Sequence, residues 1–172
     1  NLALDRQRMQ RLFAQTQAPG LVGTMIYPGS KFAIPKETIE KTPGLRQPKD
    51  ADLAEAKKLI EEAKVPKDFS IPLIIREGAI YRDQATVVAE ELKTVGIAAT
   101  VKTGDTAAFY DVQEKHDFMA MPATYGSWSP SPHFSFGDRF VTGAGRNYEQ
   151  VSNPRIDDLY AKQERLLDIE ER

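Results

Sequence analysis

From Phe69 to Lys102 the chain reads FSIPLIIREGAIYRDQATVVAEELKTVGIAATVK, and the hydrophobic period changes twice within it. In residues 69–75 the odd positions Phe69, Ile71, Leu73 and Ile75 share one face of a strand. Pro72 cannot donate to a ladder, so it implies an edge position or the strand's beginning. Tyr81, Ala85, Val88, Leu92 and Val95 then recur at helical spacing, and Gly96 stands where a left-handed C-terminal residue belongs. Ile97, Ala99 and Val101 return to period two over residues 97–102. Strand, helix and strand with short connections make a βαβ unit, whose strands are expected to be parallel with a right-handed crossover. The fold class is α/β: a mixed, largely parallel sheet with flanking helices.

Upstream, Leu53, Ala56, Ile60 and Ala63 form a stripe that predicts a helix over residues 50–64, capped by Asp50 and packed on the sheet. Residues 17–49 carry five prolines and four glycines, which predicts an irregular excursion with one helical turn near residues 36–40. Before it, Asp5 is the expected N-cap of a short helix bearing Met9, Leu12 and Phe13. Downstream, Asp105 is expected to cap a short helix with Ala108, Phe109 and Val112. Residues 117–121 are apolar on both faces, the pattern of a central buried strand. Residues 125–145 lack periodicity and read as a long irregular segment. Asn153-Pro154 then opens a last amphipathic helix.

The 172 residues fit one α/β lobe, residues 1–172, and 41% hydrophobic residues suffice for a core. Lys and Arg total 23 against 25 acidic residues, a formal charge of -2, so nucleic acid is not an expected partner. There is no cysteine and there are two histidines, which argues against thiolate chemistry, disulfides and a metal site. No apolar run approaches the roughly 20 residues of a membrane span. The start, without Met and inside an element, reads as a piece cut from a longer parent. Phosphate-loop, dinucleotide and nucleophile-elbow motifs are missing, so no cofactor and no enzyme activity are expected. The pairs Glu61-Glu62, Glu90-Glu91 and Asp157-Asp158 read as solvated helix faces.

What remains is residues 125–136, YGSWSPSPHFSF, directly after the expected buried strand. Ligands of open α/β sheets bind beyond the carboxyl ends of strands, and aromatic rings beside small polar groups suit a solute pocket. The candidate ligand-binding residues are Tyr125, Gly126, Ser127, Trp128, Ser129, Ser131 and His133. Phe134, Phe136 and Phe140 are instead expected to form a satellite core.

Four stretches carry a resemblance. They are Asn1 to Gln7 (NLALDRQ), Ala51 to Ala63 (ADLAEAKKLIEEA), Tyr81 to Ile97, and Asn147-Tyr148 with Ser152 to Leu159 (SNPRIDDL). In that order they resemble the family 5 extracellular solute-binding proteins, which include the dipeptide-, oligopeptide- and nickel-binding proteins of ABC importers. The resemblance implies most of the C-terminal lobe of a bilobed, exported, periplasmic protein of the type II binding-protein architecture. It also implies a peptide-like or other small organic solute held between the lobes, and an ABC permease and the remaining lobe as partners. Peptide binders of the family usually read W-G-x-D-Y-P-D-P where this chain has Tyr125 to Pro132. Trp128 stands at the acidic position that meets a peptide ammonium, which favours a neutral or anionic solute. Two other readings remain: a ligand-sensing domain of a regulator, and an α/β enzyme with its site on residues 125–145.

Overall fold

The computed structural model describes residues 1–13, 26, 28–122 and 131–172. Its centre is the βαβ unit: β1 (Ser70–Arg76), α4 (Ala79–Thr94) and β2 (Ala98–Gly104). The earlier helices are α1 (Arg6–Phe13), α2 (Lys36–Ile39) and α3 (Asp50–Glu62), and the later ones α5 (Thr106–Glu114), α6 (Pro132–Arg139) and α7 (Pro154–Gln163). The two strands are parallel, in register from Ser70 opposite Ala98 to Arg76 opposite Gly104.

The expected apolar face of β1 is the core. Leu73 and Ile75 are fully buried against Ala85, with Tyr81, Val88 and Ala89 of α4 packed around them. Burial of each of these two side chains contributes roughly 1.5–3 kcal/mol. Gly96 ends α4 at φ +88°, a conformation that disfavours any side chain, and the chain turns directly into β2. Asp105 caps α5 through a 2.8 Å bond from the Ala108 amide, and α5 packs on both strands with Phe109 buried.

Four expectations need correction. Residues 117–121 are not a central strand: they contribute one parallel bridge, Ala120 opposite Leu73, and Met119 is 64% exposed. The cause lies in β1. Ile74 donates to the Ala120 carbonyl at 3.0 Å, and Pro72, two residues earlier, faces the same edge with no N–H to give. The ladder stops at one rung.

Second, Asp50 does not cap α3. It is the first helical residue, after a Lys49 that makes no side-chain cap. The working carboxylate is Asp52, two residues later in the same first turn. Third, the α3 stripe packs Leu53, Ala56 and Ile60 on Leu2, Ala3 and Val95 rather than on a strand. Fourth, part of the segment expected to be irregular is helical: α6 starts at Pro132 behind Ser131, whose hydroxyl accepts from the His133 amide. Asn153-Pro154 starts α7 in the same way, as its sequence implied.

Candidate functional site

A cleft of about 340 Å³ opens at the carboxyl end of the sheet. β1 brings Arg76 there as its last residue. The chain then turns at Gly78, φ +132°, where an added Cβ would come within 3.2 Å of the Tyr81 ring. That turn starts α4 and brings Tyr81 back over Arg76. The guanidinium carbon lies 4.3 Å from the ring centroid, and a guanidinium N–H donates to the Tyr81 hydroxyl.

The second wall is α5, which presents Phe109, Tyr110, Gln113 and Glu114. Phe109 and Tyr110 meet edge to face at 5.5 Å. Pro122, after the bridging residue Ala120, closes the floor. Arg139 of α6 and Arg146 with Tyr148 from the following turns complete the rim.

Those turns are held by buried and charged groups. The Asn147 side chain donates to the carbonyls of Val141 and Val151 and accepts from the Val151 amide, which staples residues 141–151 into one unit. His116 Nδ1 lies 2.9 Å from the Tyr148 carbonyl. A carbonyl only accepts, so the proton sits on Nδ1, and the bond ties the rim to the end of α5. Asp157 accepts from both the amide and the hydroxyl of Thr142, and these two bonds hold its carboxyl below the usual range.

Of the candidate residues read from sequence, Tyr125, Gly126, Ser127, Trp128 and Ser129 lie outside the described residues. Ser131 is the cap of α6. His133 sits at the junction of α6 and α7, stacked on Tyr160 with centroids 5.3 Å apart, and its Nδ1 is 2.9 Å from Gln163 Nε2. An amide nitrogen only donates, so here Nδ1 accepts. His133 faces a second, more apolar pocket shared with Phe136, Ile156, Leu159 and Tyr160. The structure therefore places Ser131 and His133 together, but on the α6–α7 side rather than among the groups named above as lining the 340 Å³ cleft.

Sequence reasoning missed the arginines of the cleft. The signal was present: the rule that sent attention past residue 121 applies equally to β1, which ends on Arg76 before a Glu77-Gly78 turn. Phe134, expected in a satellite core, is 65% exposed, whereas Phe136 and Phe140 are partly buried and touch at 5.4 Å. One helix-face carboxylate is not solvated, Glu91, which is 5% exposed, whereas Asp157 stays partly exposed while it accepts from Thr142.

A sequence model of the family described as bacterial extracellular solute-binding proteins, family 5 Middle, matches residues 1–147. No curated protein matches the chain. Among solved structures, the chain is similar to AppA from Clostridium difficile at 24% identity and a TM-score of 0.77, covering 99% of this chain and 34% of that one. It is similar to Haemophilus influenzae OppA in complex with the peptide RPPGFSPFR, at 19% identity and a TM-score of 0.76 over 98% and 33% of the two chains. It is also similar to Staphylococcus aureus NikA in complex with Ni(L-His)2, at 18% identity and a TM-score of 0.73 over 99% and 35%. The chain thus spans about a third of the length of the structures it matches.

Proposed function

The chain belongs to the bacterial extracellular solute-binding proteins, family 5, and from that premise we propose that it forms one wall of the solute cleft in the binding component of an ABC importer. The family is one of binding proteins rather than enzymes. In this reading residues 1–172 are one α/β lobe of a longer, hinged, extracytoplasmic protein. The solute is peptide-like or another small organic molecule, and an ABC permease receives the closed form.

The observation that carries the reading is the cleft at the carboxyl ends of parallel strands, in a chain of a family that binds solutes. Pro122, where residues 123–130 depart, lies in that cleft, and Ser131, where they return, caps a helix that reaches its rim. Residues Tyr125, Gly126, Ser127, Trp128 and Ser129 are the proposed contacts on this wall, with Ser131 and His133 proposed to reach the solute from the α6–α7 side. OppA and NikA were solved with a nonapeptide and a nickel–histidine complex respectively, so the architecture admits ligands of very different charge.

Trp128 at the family's acidic position leaves a peptide ammonium without a counter-charge on this wall. An unpaired charge in a desolvated site costs several kcal/mol. Calorimetry on the intact protein with free-amine peptides, N-acetylated peptides and neutral solutes tests this, together with Trp128→Asp. The expected result is weak binding of free-amine dipeptides and a gain for them in the variant. Tight binding of free-amine dipeptides by the unmutated protein overturns the ligand argument, and failure of every solute in the panel overturns the reading itself.

A further inference from the structure

We infer that the cleft at the end of β1 is an oxyanion site, so that the solute bound here carries a carboxylate or a phosphate-like group seated among Arg76, Arg139 and Arg146. The inference rests on the solute-binding reading and names its substrate class. Among the described residues, three guanidinium groups line the cleft with one carboxylate, Glu114, while Asp138 pairs with Arg146. A chain with a net charge of -2 has no general excess of positive charge to explain that concentration. The arginines also come from three different places in the fold: a strand end, a helix and a turn.

Arg76 is the best placed. It is half-buried, and among the described residues no carboxylate pairs with it; its partner is the neutral Tyr81. The hydroxyl of Tyr81 uses one of five guanidinium donors, and the Tyr81 ring, with its centroid 4.3 Å from the guanidinium carbon, restrains where the group can sit. A planar fork held against a ring, with donors to spare, suits bidentate binding of an oxyanion. Arg146 is differently held, by Asp138 at 3.2 Å, a pair more than 40% exposed on both sides. Such a pair is weak and exchanges readily for a better partner. Buried Phe109 supplies apolar surface beside the guanidinium groups, which strengthens the contact.

Other features of the molecule carry less. The apolar pocket between α6 and α7 has nothing that identifies an occupant. The buried carboxylates Asp52 and Glu91 are already satisfied within the chain.

The test is calorimetry on the intact protein at low salt with three probes. They are inorganic phosphate, an N-acetylated tripeptide with a free C-terminal carboxylate, and the same tripeptide as its amide. The phosphate arm separates a free or ester phosphate from a peptide terminus. Binding of either anion, with the amide at least about tenfold weaker than the acid, is the expected result. Arg76→Gln is expected to weaken the anions by about tenfold or more and to bring the acid-to-amide ratio near one. Arg146→Gln, on a side chain that is 58% exposed, is expected to act in the same direction and guards against a folding artefact at Arg76.

Equal affinity for acid and amide, or anion affinities unchanged in both variants, overturns the inference. Phosphate binding without either peptide supports the oxyanion site and removes peptides from the reading. Absence of binding by both anions, while neutral solutes in the wider panel bind, overturns the inference and leaves the solute-binding reading standing.

Discussion

Asp52 is the residue on which the N-terminal third of the structure turns. Its side chain is fully buried and accepts from Lys49 Nζ at 2.7 Å, Arg46 Nε at 2.6 Å and the Gly44 amide at 2.9 Å. Burial alone would push this carboxyl up, but the three hydrogen bonds and the Lys49 charge outweigh it and hold Asp52 below the usual range. Asp52→Asn keeps the volume and removes the charge, leaving a buried Lys49 without its counter-ion. Such a break costs about 3–5 kcal/mol, to be read from urea unfolding. Because the folded carboxyl is depressed, its contribution is present above the unfolded value of 3.8 and fades as pH falls through the lower folded one. The gap between wild type and Asp52→Asn should therefore narrow only below about pH 4.

Glu91 has the opposite sign. It accepts from the Asp5 amide at 2.9 Å and from Arg8 at 3.3 Å, and so docks the start of α1 on α4. Burial of the carboxylate dominates and pushes Glu91 up, although the same contacts raise Arg8 and mark the pair as attractive. The burial penalty falls on the acid. A raised folded value means that ionisation costs stability: no penalty exists below the unfolded value of 4.5, and it grows as pH rises through the folded one. Relative to Glu91→Gln, the wild type should gain stability as pH is lowered from 7 toward 4.5. A constant difference across that window would show that Glu91 is not charged at a cost.

At the scale of elements, the packing of α6 on α7 depends on one missing side chain. A Cβ on Gly137 would lie 2.2 Å from the Tyr160 hydroxyl oxygen and 2.6 Å from the ring carbon that bears it. The Tyr160 ring must swing away, and its stack on His133 goes with it. Gly137→Ala is expected to destabilise by about 1–3 kcal/mol despite the gain in helix propensity. In Tyr160→Ala the obstruction is gone, so a second substitution at Gly137 should cost little. Additive losses in that double-mutant cycle would disprove the contact.

The elements also show what a sequence conveys and what it withholds. β1, α4 and β2 were legible because their periods differ and Gly96 marks the switch. α7 was legible from Asn153-Pro154. α6 carries the equivalent Ser131-Pro132 start, but the dense Gly, Ser and aromatic surroundings masked it. Residues 117–121 misled because an apolar run reports hydrophobicity and not a ladder, and Pro72, the residue that limits the ladder, sits in a different strand. The arginine cleft assembles from residues 76, 139 and 146, a proximity that no local pattern encodes. Buried charges such as Asp52 and Glu91 escape for a related reason, since their partners come from a preceding loop or a distant helix.

At the scale of the whole molecule, several large apolar side chains face outward, among them Met119 at 64%, Phe134 at 65% and Leu167 at 100% exposure. The cleft has a one-sided character. Solute pockets bury most of a ligand's surface, and in the proposed two-lobed protein one wall would supply roughly half of that contact. If the intact protein binds its solute in the micromolar range, about -8 kcal/mol, half of the contact energy corresponds to roughly millimolar affinity. Residues 1–172 expressed alone should therefore bind the solute of the intact protein about a thousandfold more weakly. The anion contribution should survive better than the rest, because its three arginines all belong to this chain. Parallel calorimetry of the intact protein and of residues 1–172, with folding of the latter checked by circular dichroism, measures both quantities. Affinities within about tenfold of each other would mean that this chain holds the complete site and that closure of a second lobe adds little.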